Sequence, residues 1–483
     1  MTPTATINAK NPDLNSITRL TWEAIGKVND PPQLFWGENA IVYVNVVPEG
    51  LATCMDVDTN LLRWWLTKNI KFVEQTKNGE QAARPPADLL QNLIATPTPA
   101  LPVLLGIVES PVFARNRTLH SKPGYSPQTQ RVYAPATGLK LPAISNQPTS
   151  SEIDRAREFL LNELLGDFPF DGNSSKAHAI AALLVPFVRP MIDGPTPLHF
   201  ISKPKAGTGA TLLAEILCLP SGGSPSLISV PNDEGERKRT LLSVLRERPS
   251  AIVLDNVNKL EGAALASCLT QTRYQDREVG ASRMLKVPAL CLWLATGNNP
   301  DLSDEIARRV VRIHLDAKTE HPDLRNDFKY PRLKTWATEQ IGNLVWSALT
   351  LVQAWIVAGS PAGQQVFGGF EAWAEVMGGI LQVVGVQGFL KNIEQGRENC
   401  DRQTARFKAF VDTWAATHGG KERTAGQLLS LPHELSLGTQ GERSQAIRLG
   451  QLLDHHKGQR FGVWAIKRRL LSGRTLWRLN PND

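Results

Sequence analysis

The chemistry-bearing residues of this chain begin at a glycine-rich stretch. Leu198-His199-Phe200-Ile201-Ser202 is a short apolar run. It leads into Lys203-Pro204-Lys205-Ala206-Gly207-Thr208-Gly209-Ala210-Thr211, and residues 212–219 have helix-forming composition. Strand, glycine-rich turn and helix N-terminus is an arrangement that cradles phosphate, because backbone N–H groups converge there and the helix dipole favours an anion. Set against GxxxxGK[ST], Gly209 and Thr211 fit, Pro204 stands at the first glycine and Ala210 at the lysine. That lysine ordinarily reaches the outer phosphates; Lys203 or Lys205 could reach in from the start of the loop instead. The phosphate-contacting stretch is therefore Lys203, Lys205, Ala206, Gly207, Thr208, Gly209, Ala210, Thr211 and Leu212. An ordinary glycine turn before a buried helix has the same local sequence.

Segments further along the chain add context. Residues 250–257, SAIVLDNV, form an apolar run with Asp255 at its polar end. A carboxylate at the C-terminal end of a buried parallel strand can hold Mg²⁺, usually through water. Asn256 stands where a water-activating glutamate is common. Residues 289–299, ALCLWLATGNN, predict another strand, and Asn298 near its end could orient a water. Residues 304–316, DEIARRVVRIHLD, predict a short helix and then a strand, with Arg308 and Arg309 closing the helix. Arginine suits bidentate contact with phosphate, including a nucleotide held by a neighbouring subunit. Glu234 and Glu236 could supply the carboxylate that Asn256 lacks, although i,i+3 and i,i+4 pairs on a charged helix start are the plainer explanation.

The elements that must position these groups emerge from pattern. From about residue 148 to 395 strands and helices alternate, which predicts an α/β domain, with a helical lid region over about 330–395. Residues 1–147 predict an N-terminal α+β accessory domain: AIVYVNVV (40–47) alternates as a strand, DTNLLRWWLTKNIKFV (58–73) has helical periodicity, and 95–150 is predicted to be mostly loop. The segment 148–165 predicts a helix capped by Ser150 or Ser151. Residues 396–483 predict helices followed by a hairpin.

Charge is uneven. Residues 401–483 hold 14 of the 53 basic residues and 7 of the 46 acidic ones, so the first 400 hold 39 of each sign and the tail carries the whole +7. A basic terminal module suggests a polyanion such as nucleic acid. The five cysteines form no CxxC pair, and several sit in apolar runs, which suits a reduced, cytoplasmic setting. The N-terminus has no apolar signal core. Leu344–Gly359 is apolar but short for a membrane span, so a buried helix pair turning near Gly359–Gly363 is expected.

The segments KPKAGTGAT, VPNDEGERKRTLLSVL, IVLDNV, YQDREVG, LATGNN and DEIARRVVRIHLD together resemble a AAA+ ATPase of phage, plasmid and mobile-element replication. The chain is similar to the helicase half of D5-type primase-helicases and, more distantly, to MCM-like helicases. The resemblance covers roughly residues 150–395 and extends into NDPPQLFWGENAIVYVNV and PGYSPQTQRVYAPATG. It implies a P-loop AAA+ core binding ATP and Mg²⁺, with Thr211 and Asp255 at the metal, Asn298 as sensor and Arg308 or Arg309 as arginine finger. It also implies a ring oligomer, a hexamer above all, acting as a helicase on DNA, with a separate primase or replication protein as partner. Ala210 and Asn256 depart from the pattern, and a non-hydrolysing initiator or loader, or a DNA-binding regulator with a degenerate nucleotide fold, are the alternatives.

Two stretches are candidates for DNA contact. Residues 275–286 predict a hairpin turning at Gly280 and carrying Arg277, Arg283 and Lys286, placed where an insertion lines the pore of related hexameric helicases. In the tail, RSQAIRLGQLLDHH (443–456) predicts an amphipathic helix with Ile447, Leu449, Leu452 and Leu453 apolar and Arg443 and Arg448 elsewhere. RFGVWAIKRRLLSGRTLWRLN then predicts two strands joined near Ser472-Gly473. Helices followed by a hairpin make a winged helix, with Lys467, Arg468, Arg469, Arg474 and Arg478 on the wing.

Overall fold

The computed structural model describes residues 6–47, 52–77, 79–136, 138–205, 207–222, 226–277, 284–435, 437, 441–471 and 474–481. The chain divides into two compact units, Met1–Asn392 and Ile393–Asp483. Residues 1–147 lie in the same unit as the α/β core.

That core starts with helix α1 (Gly172–Val188), which is buried over almost its whole length, as an all-round apolar composition requires. Strand β1 (Leu198–Ser202), helix α2 (Ala210–Gly222), strand β2 (Ser226–Ile228), helix α3 (Glu234–Arg246) and strand β3 (Ala251–Leu260) come next. After helix α4 (Ala263–Thr270) comes an antiparallel hairpin of β4 (Arg273–Arg277) and β5 (Met284–Pro288), then β6 (Leu292–Leu302) and β7 (Val310–His314). Strands β2, β3, β6, β1 and β7 lie in that order in one sheet, every neighbouring pair parallel. β1 runs inside the sheet between β6 and β7 and is buried at all five residues, which explains its unbroken apolar run. One hydrophobic cluster joins β1, β3, β6 and β7 to α3, α4 and the hairpin through residues such as Phe200, Leu254, Trp293 and Leu265.

Helices α5 (Ile341–Val357) and α6 (Glu371–Val383) are largely buried, with the turn between them over 358–370. Among the described residues, no single helix is long and apolar enough to cross a membrane.

The second unit contains α7 (Ile393–His418), α8 (Ala425–Leu429) and α9 (Glu442–His455), then a three-stranded antiparallel sheet of β8 (Arg460–Phe461), β9 (Trp464–Leu471) and β10 (Arg474–Pro481). Arg423, between α7 and α8, exchanges both backbone hydrogen bonds with Trp477 of β10. Phe410, Trp414, Leu449, Leu453, Ile466 and Trp477 form its core.

Several expectations need correction. The helix foreseen over 58–73 spans Thr59–Asn69 only, and Lys71–Thr76 is a strand, because Phe72 and Val73 are drawn into pairing with residues 6–8. The stretch 95–150 contains strands of two or three residues, Gly106–Val108 and Arg131–Tyr133 among them, too short to show periodicity. The cap of the 150s helix is Thr149, whose hydroxyl and Glu152 form a reciprocal capping box. Ile447, expected on the apolar face of α9, is 57% exposed. The predicted turn at Gly280, with Ala206, Arg283 and the Ser472-Gly473 link, lies outside the described residues.

Candidate functional site

The phosphate-loop candidate connects the C-terminal end of β1 to the N-terminus of α2. Gly207 and Gly209 have φ of +81° and +91°, the left-handed region where glycine carries no steric penalty. Thr208 is buried, and its hydroxyl donates to Lys205 O at 2.7 Å, which closes the turn. α2 begins as Leu213 N–H reaches Gly209 O at 2.8 Å. The N–H groups of the turn before it therefore have no acceptor within the helix. Those orphan donors at a helix start are what an anion would meet.

Asp255 is the focus of the polar groups beside the loop. Its Oδ1 accepts from the Thr211 hydroxyl at 2.9 Å and from the Thr296 hydroxyl at 2.7 Å. Thr296 Oγ1 in turn accepts from Asn256 N–H at 2.8 Å. The three side chains come from α2, β3 and β6, and their meeting depends on a register irregularity. β3 and β6 pair regularly up to Leu254–Ala295, shift before Val257–Gly297, and shift again before Lys259–Asp301 and Leu260–Leu302. Asn256, at the break, has φ of +50°. A bulge of this kind re-aims a side chain. The strand expected to end at Asp255 thus runs on to Leu260, and that expected to end at Asn299 runs to Leu302, because the pairing survives the bulge.

Asn298 is tied to the loop. With its amide nitrogen turned inward it donates to Lys203 O at 2.7 Å and Pro204 O at 2.9 Å. Behind the loop, Ser202 Oγ and His314 Nδ1 are 2.8 Å apart, and His314 N–H donates to Ser175 Oγ of α1 at 3.0 Å. Deeper still, His178 is held between Arg312 O (2.7 Å) and Leu390 N–H (3.0 Å). Burial pushes the His178 imidazole down to about 4 and that of His199 to about 3, so both are neutral in the fold.

Among the other predicted residues, Lys205 Nζ donates to Glu320 O at 3.4 Å, and Lys203 is half-buried. Ala210 is buried, and Leu212 is half-buried on the first turn of α2. The segment after β7 abuts the loop: a Cβ on Gly207 would lie 2.9 Å from Asp323 Cβ. Glu234 spans two helices, accepting from Ala264 N–H at 2.8 Å and pairing with Arg237, while Glu236 pairs with Arg239. Neither glutamate bonds to the Asp255 cluster. Arg308 is exposed and bonds Asp304 O at 3.2 Å; Arg309 lies 3.8 Å from Glu305 and keeps a buried Nε without a partner. Arg277 and Lys286 lie on the described strands of the hairpin, and Lys286 O accepts from Asn39 at 2.6 Å.

In the second unit, Arg468 pairs with Asp454 at 2.8 Å and stacks over Trp477, and Arg469 pairs with Glu422 at 3.3 Å. Lys467 and Arg478 face each other across β9 and β10, both exposed and with no carboxylate partner among the described residues. Arg443 is exposed on α9, and Arg448 bonds Leu437 O at 3.1 Å. Arg474 opens β10.

Thr296 is the site residue that sequence reasoning missed. It lies within an apolar strand, and only the three-dimensional pairing brings it to Asp255.

The donor set beside the loop, a hydroxyl and a carboxylate, is all oxygen, as Mg²⁺ prefers with water and phosphate completing its shell. Among the described residues no group of three or more His, Cys, Asp or Glu could hold a metal.

No family model matches the chain, and no curated protein matches it. Solved structures of JCV helicase show a weak likeness. One with a bound acetamide inhibitor is 15% identical, spans 55% of this chain and 72% of that one, and has a TM-score of 0.22. Another is 14% identical, spans 51% and 73%, and has a TM-score of 0.20. The chemistry open to the site rests on its own geometry.

Proposed function

We propose that the first unit is a AAA+-type P-loop module that binds ATP with Mg²⁺, and that the chain is a DNA helicase or translocase working as a ring oligomer in replication of a mobile element. The observation that carries the nucleotide reading is the Thr211–Asp255–Thr296 cluster at the C-terminal ends of parallel strands, beside a loop whose glycines adopt left-handed geometry. Gly207, Gly209 and the first turn of α2 would receive phosphate oxygens. Thr211 and Asp255 would hold the cation, whose role is to neutralise charge between adjacent phosphates. Thr296 would orient the Asp255 carboxylate, and Asn298 would fix the loop backbone. Arg308, exposed at the end of its helix, is the residue suited to a neighbour's nucleotide.

The second unit supports a DNA-binding winged helix: three helices, a backbone bridge at Arg423–Trp477, and a basic hairpin on which Lys467 and Arg478 are unpaired among the described residues. Arg443 on α9 would face the duplex with them.

A second reading is favoured by Glu234. Its oxygens are taken up by Ala264 N–H and Arg237 rather than offered to the site, and Asn256 carries no carboxylate. On that reading the chain is an initiator or loader in which nucleotide stabilises assembly without turnover. ATP turnover with and without forked DNA, run beside a size measurement in nucleotide, tests both. DNA-stimulated turnover lost in Asp255→Ala establishes the motor. Nucleotide-dependent assembly without turnover establishes the loader, and absence of nucleotide binding removes both.

A further inference from the structure

The second unit ends in a ribbon that outruns its own core. β9 and β10 pair without interruption from Trp464–Pro481 to Leu471–Arg474. The base of the ribbon is anchored. β8 pairs with β9 opposite Trp464 and Ala465, Arg423 bridges β10 at Trp477, and Ile466, Trp477 and Leu479 belong to the core. Beyond Arg468–Trp477, no other strand pairs with the ribbon among the described residues. The pairs Arg469–Leu476, Leu470–Thr475 and Leu471–Arg474 therefore project by about 10 Å.

Successive residues of a strand point to opposite faces, and directly opposed residues share one. Ile466, Arg468 and Leu470 lie on the face that packs on the core, where Ile466 is fully buried and Arg468 covers Trp477. Leu470 continues that row past the end of the core and is 67% exposed. Lys467, Arg469 and Leu471 lie on the other face, and Leu471 is 47% exposed. The ribbon thus ends apolar on both faces. A single exposed leucine calls for no explanation. Two in succession do not serve a flat partner, which would cover one face and leave the other leucine in water. They suit a slot with two apolar walls.

The charges behind the leucines say what lines that slot. Lys467 and Arg478 stand directly opposite each other, exposed and with no carboxylate partner among the described residues. Like charges so placed repel, and an anion beside them offsets that cost. The chain beyond residue 400 carries the whole +7. A two-walled apolar slot rimmed by negative charge is what an opened base step of duplex DNA offers, with base planes above and below and phosphates to either side. Leucine is among the side chains that enter such steps from the minor groove, and a two-stranded ribbon can lie in a groove.

Resting on the reading of the second unit as a DNA-binding module, we infer that Leu470 and Leu471 are a wedge. They enter one base step from the minor groove, unstack it and bend the duplex, while Lys467 and Arg478 hold the flanking phosphates. Pyrimidine–purine steps open most easily, so the bend centres on one of them.

The test is end-to-end fluorescence energy transfer on a duplex of about 30 base pairs with a single central TA step, saturated with the full chain. Wild type is expected to bend it by roughly 20–90°, and 2-aminopurine at the TA step to brighten as it unstacks. Leu470→Ala/Leu471→Ala should lose most of the rise in transfer and keep the salt dependence of binding, which reports phosphate contacts. Leu470→Met/Leu471→Met, still apolar and long, should retain the bend. Lys467→Ala should do the reverse of the alanine pair, with a shallower salt slope and an unchanged bend. Duplex binding with no bend, or a bend that survives in the alanine pair, overturns the wedge and leaves the DNA-binding reading standing. Unchanged 2-aminopurine fluorescence in wild type overturns it even should the variants fail to fold. Absence of duplex binding by wild type overturns both. Self-association that disappears in the alanine pair, with the bend retained, assigns the leucines to a contact between protein chains and likewise overturns the wedge.

Discussion

At the C-terminal end of the parallel sheet the polar groups are two threonine hydroxyls, one carboxylate and the orphan N–H groups of a helix start. At the N-terminal end they include three buried guanidinium groups, Arg131, Arg189 and Arg248, none paired with a carboxylate among the described residues. The two ends satisfy their polar groups by different physics. Orphan N–H groups at an open helix start are met by water until a ligand replaces it. Buried guanidinium groups lean on backbone carbonyls instead, as Arg189 does on Ile192 O and Gly194 O.

The sharpest way to break that contrast is Asp255→Ala. Mg²⁺-dependent nucleotide affinity should fall by roughly 100-fold while the fold at the arginine end is unchanged, measured by fluorescent-nucleotide titration beside a thermal melt. Thr296→Val should weaken the same affinity about tenfold, because Asp255 loses one of its two hydroxyl donors; an unchanged value would make Thr296 a packing residue.

Acid should separate the ends as well. His178 and His199 have folded pKa values below the ordinary 6.5, so between pH 6.5 and about 4 the unfolded chain binds more protons than the folded one. Their contribution is complete above pH 6.5 and is lost as pH falls. His199 lies on β1 and His178 on α1 behind it, so urea midpoints should drop over that window, and His199→Phe should flatten the drop. A smaller effect is expected at the other end. Arg131→Met should raise stability by about 1 kcal/mol, read by thermal melts, because it removes a buried cation that no carboxylate pairs among the described residues. The exposed hairpin supplies the control in which cations are solvated. Lys467→Ala and Arg478→Ala should each reduce the slope of log affinity for duplex against log salt by about 0.9. Arg469→Ala should change it less, since Glu422 already holds that guanidinium.

The legible parts of the site were those whose chemistry is contiguous. The run from Leu198 to Thr211 carries strand, glycines and helix start in one segment, and Asp255 and Asn298 end apolar runs. Thr296 was illegible because a threonine in an apolar strand has no local signature, and the bulge that turns Asp255 toward it belongs to pairing between strands. The arginine cluster was more hidden: Arg131, Arg189 and Arg248 stand far apart in the chain, and each alone resembles a solvated surface residue. The short strands of 106–133 beside it escaped for a related reason, since three residues cannot display alternation.

The bulge has a bearing on how this sequence can change. Position 256 sits in left-handed geometry, which asparagine tolerates and most other side chains enter only at about 1–2 kcal/mol. A glutamate placed there would carry that strain. A water-activating carboxylate is less costly to bring from another element, and Glu234, already engaged, would first have to surrender its hold on α4.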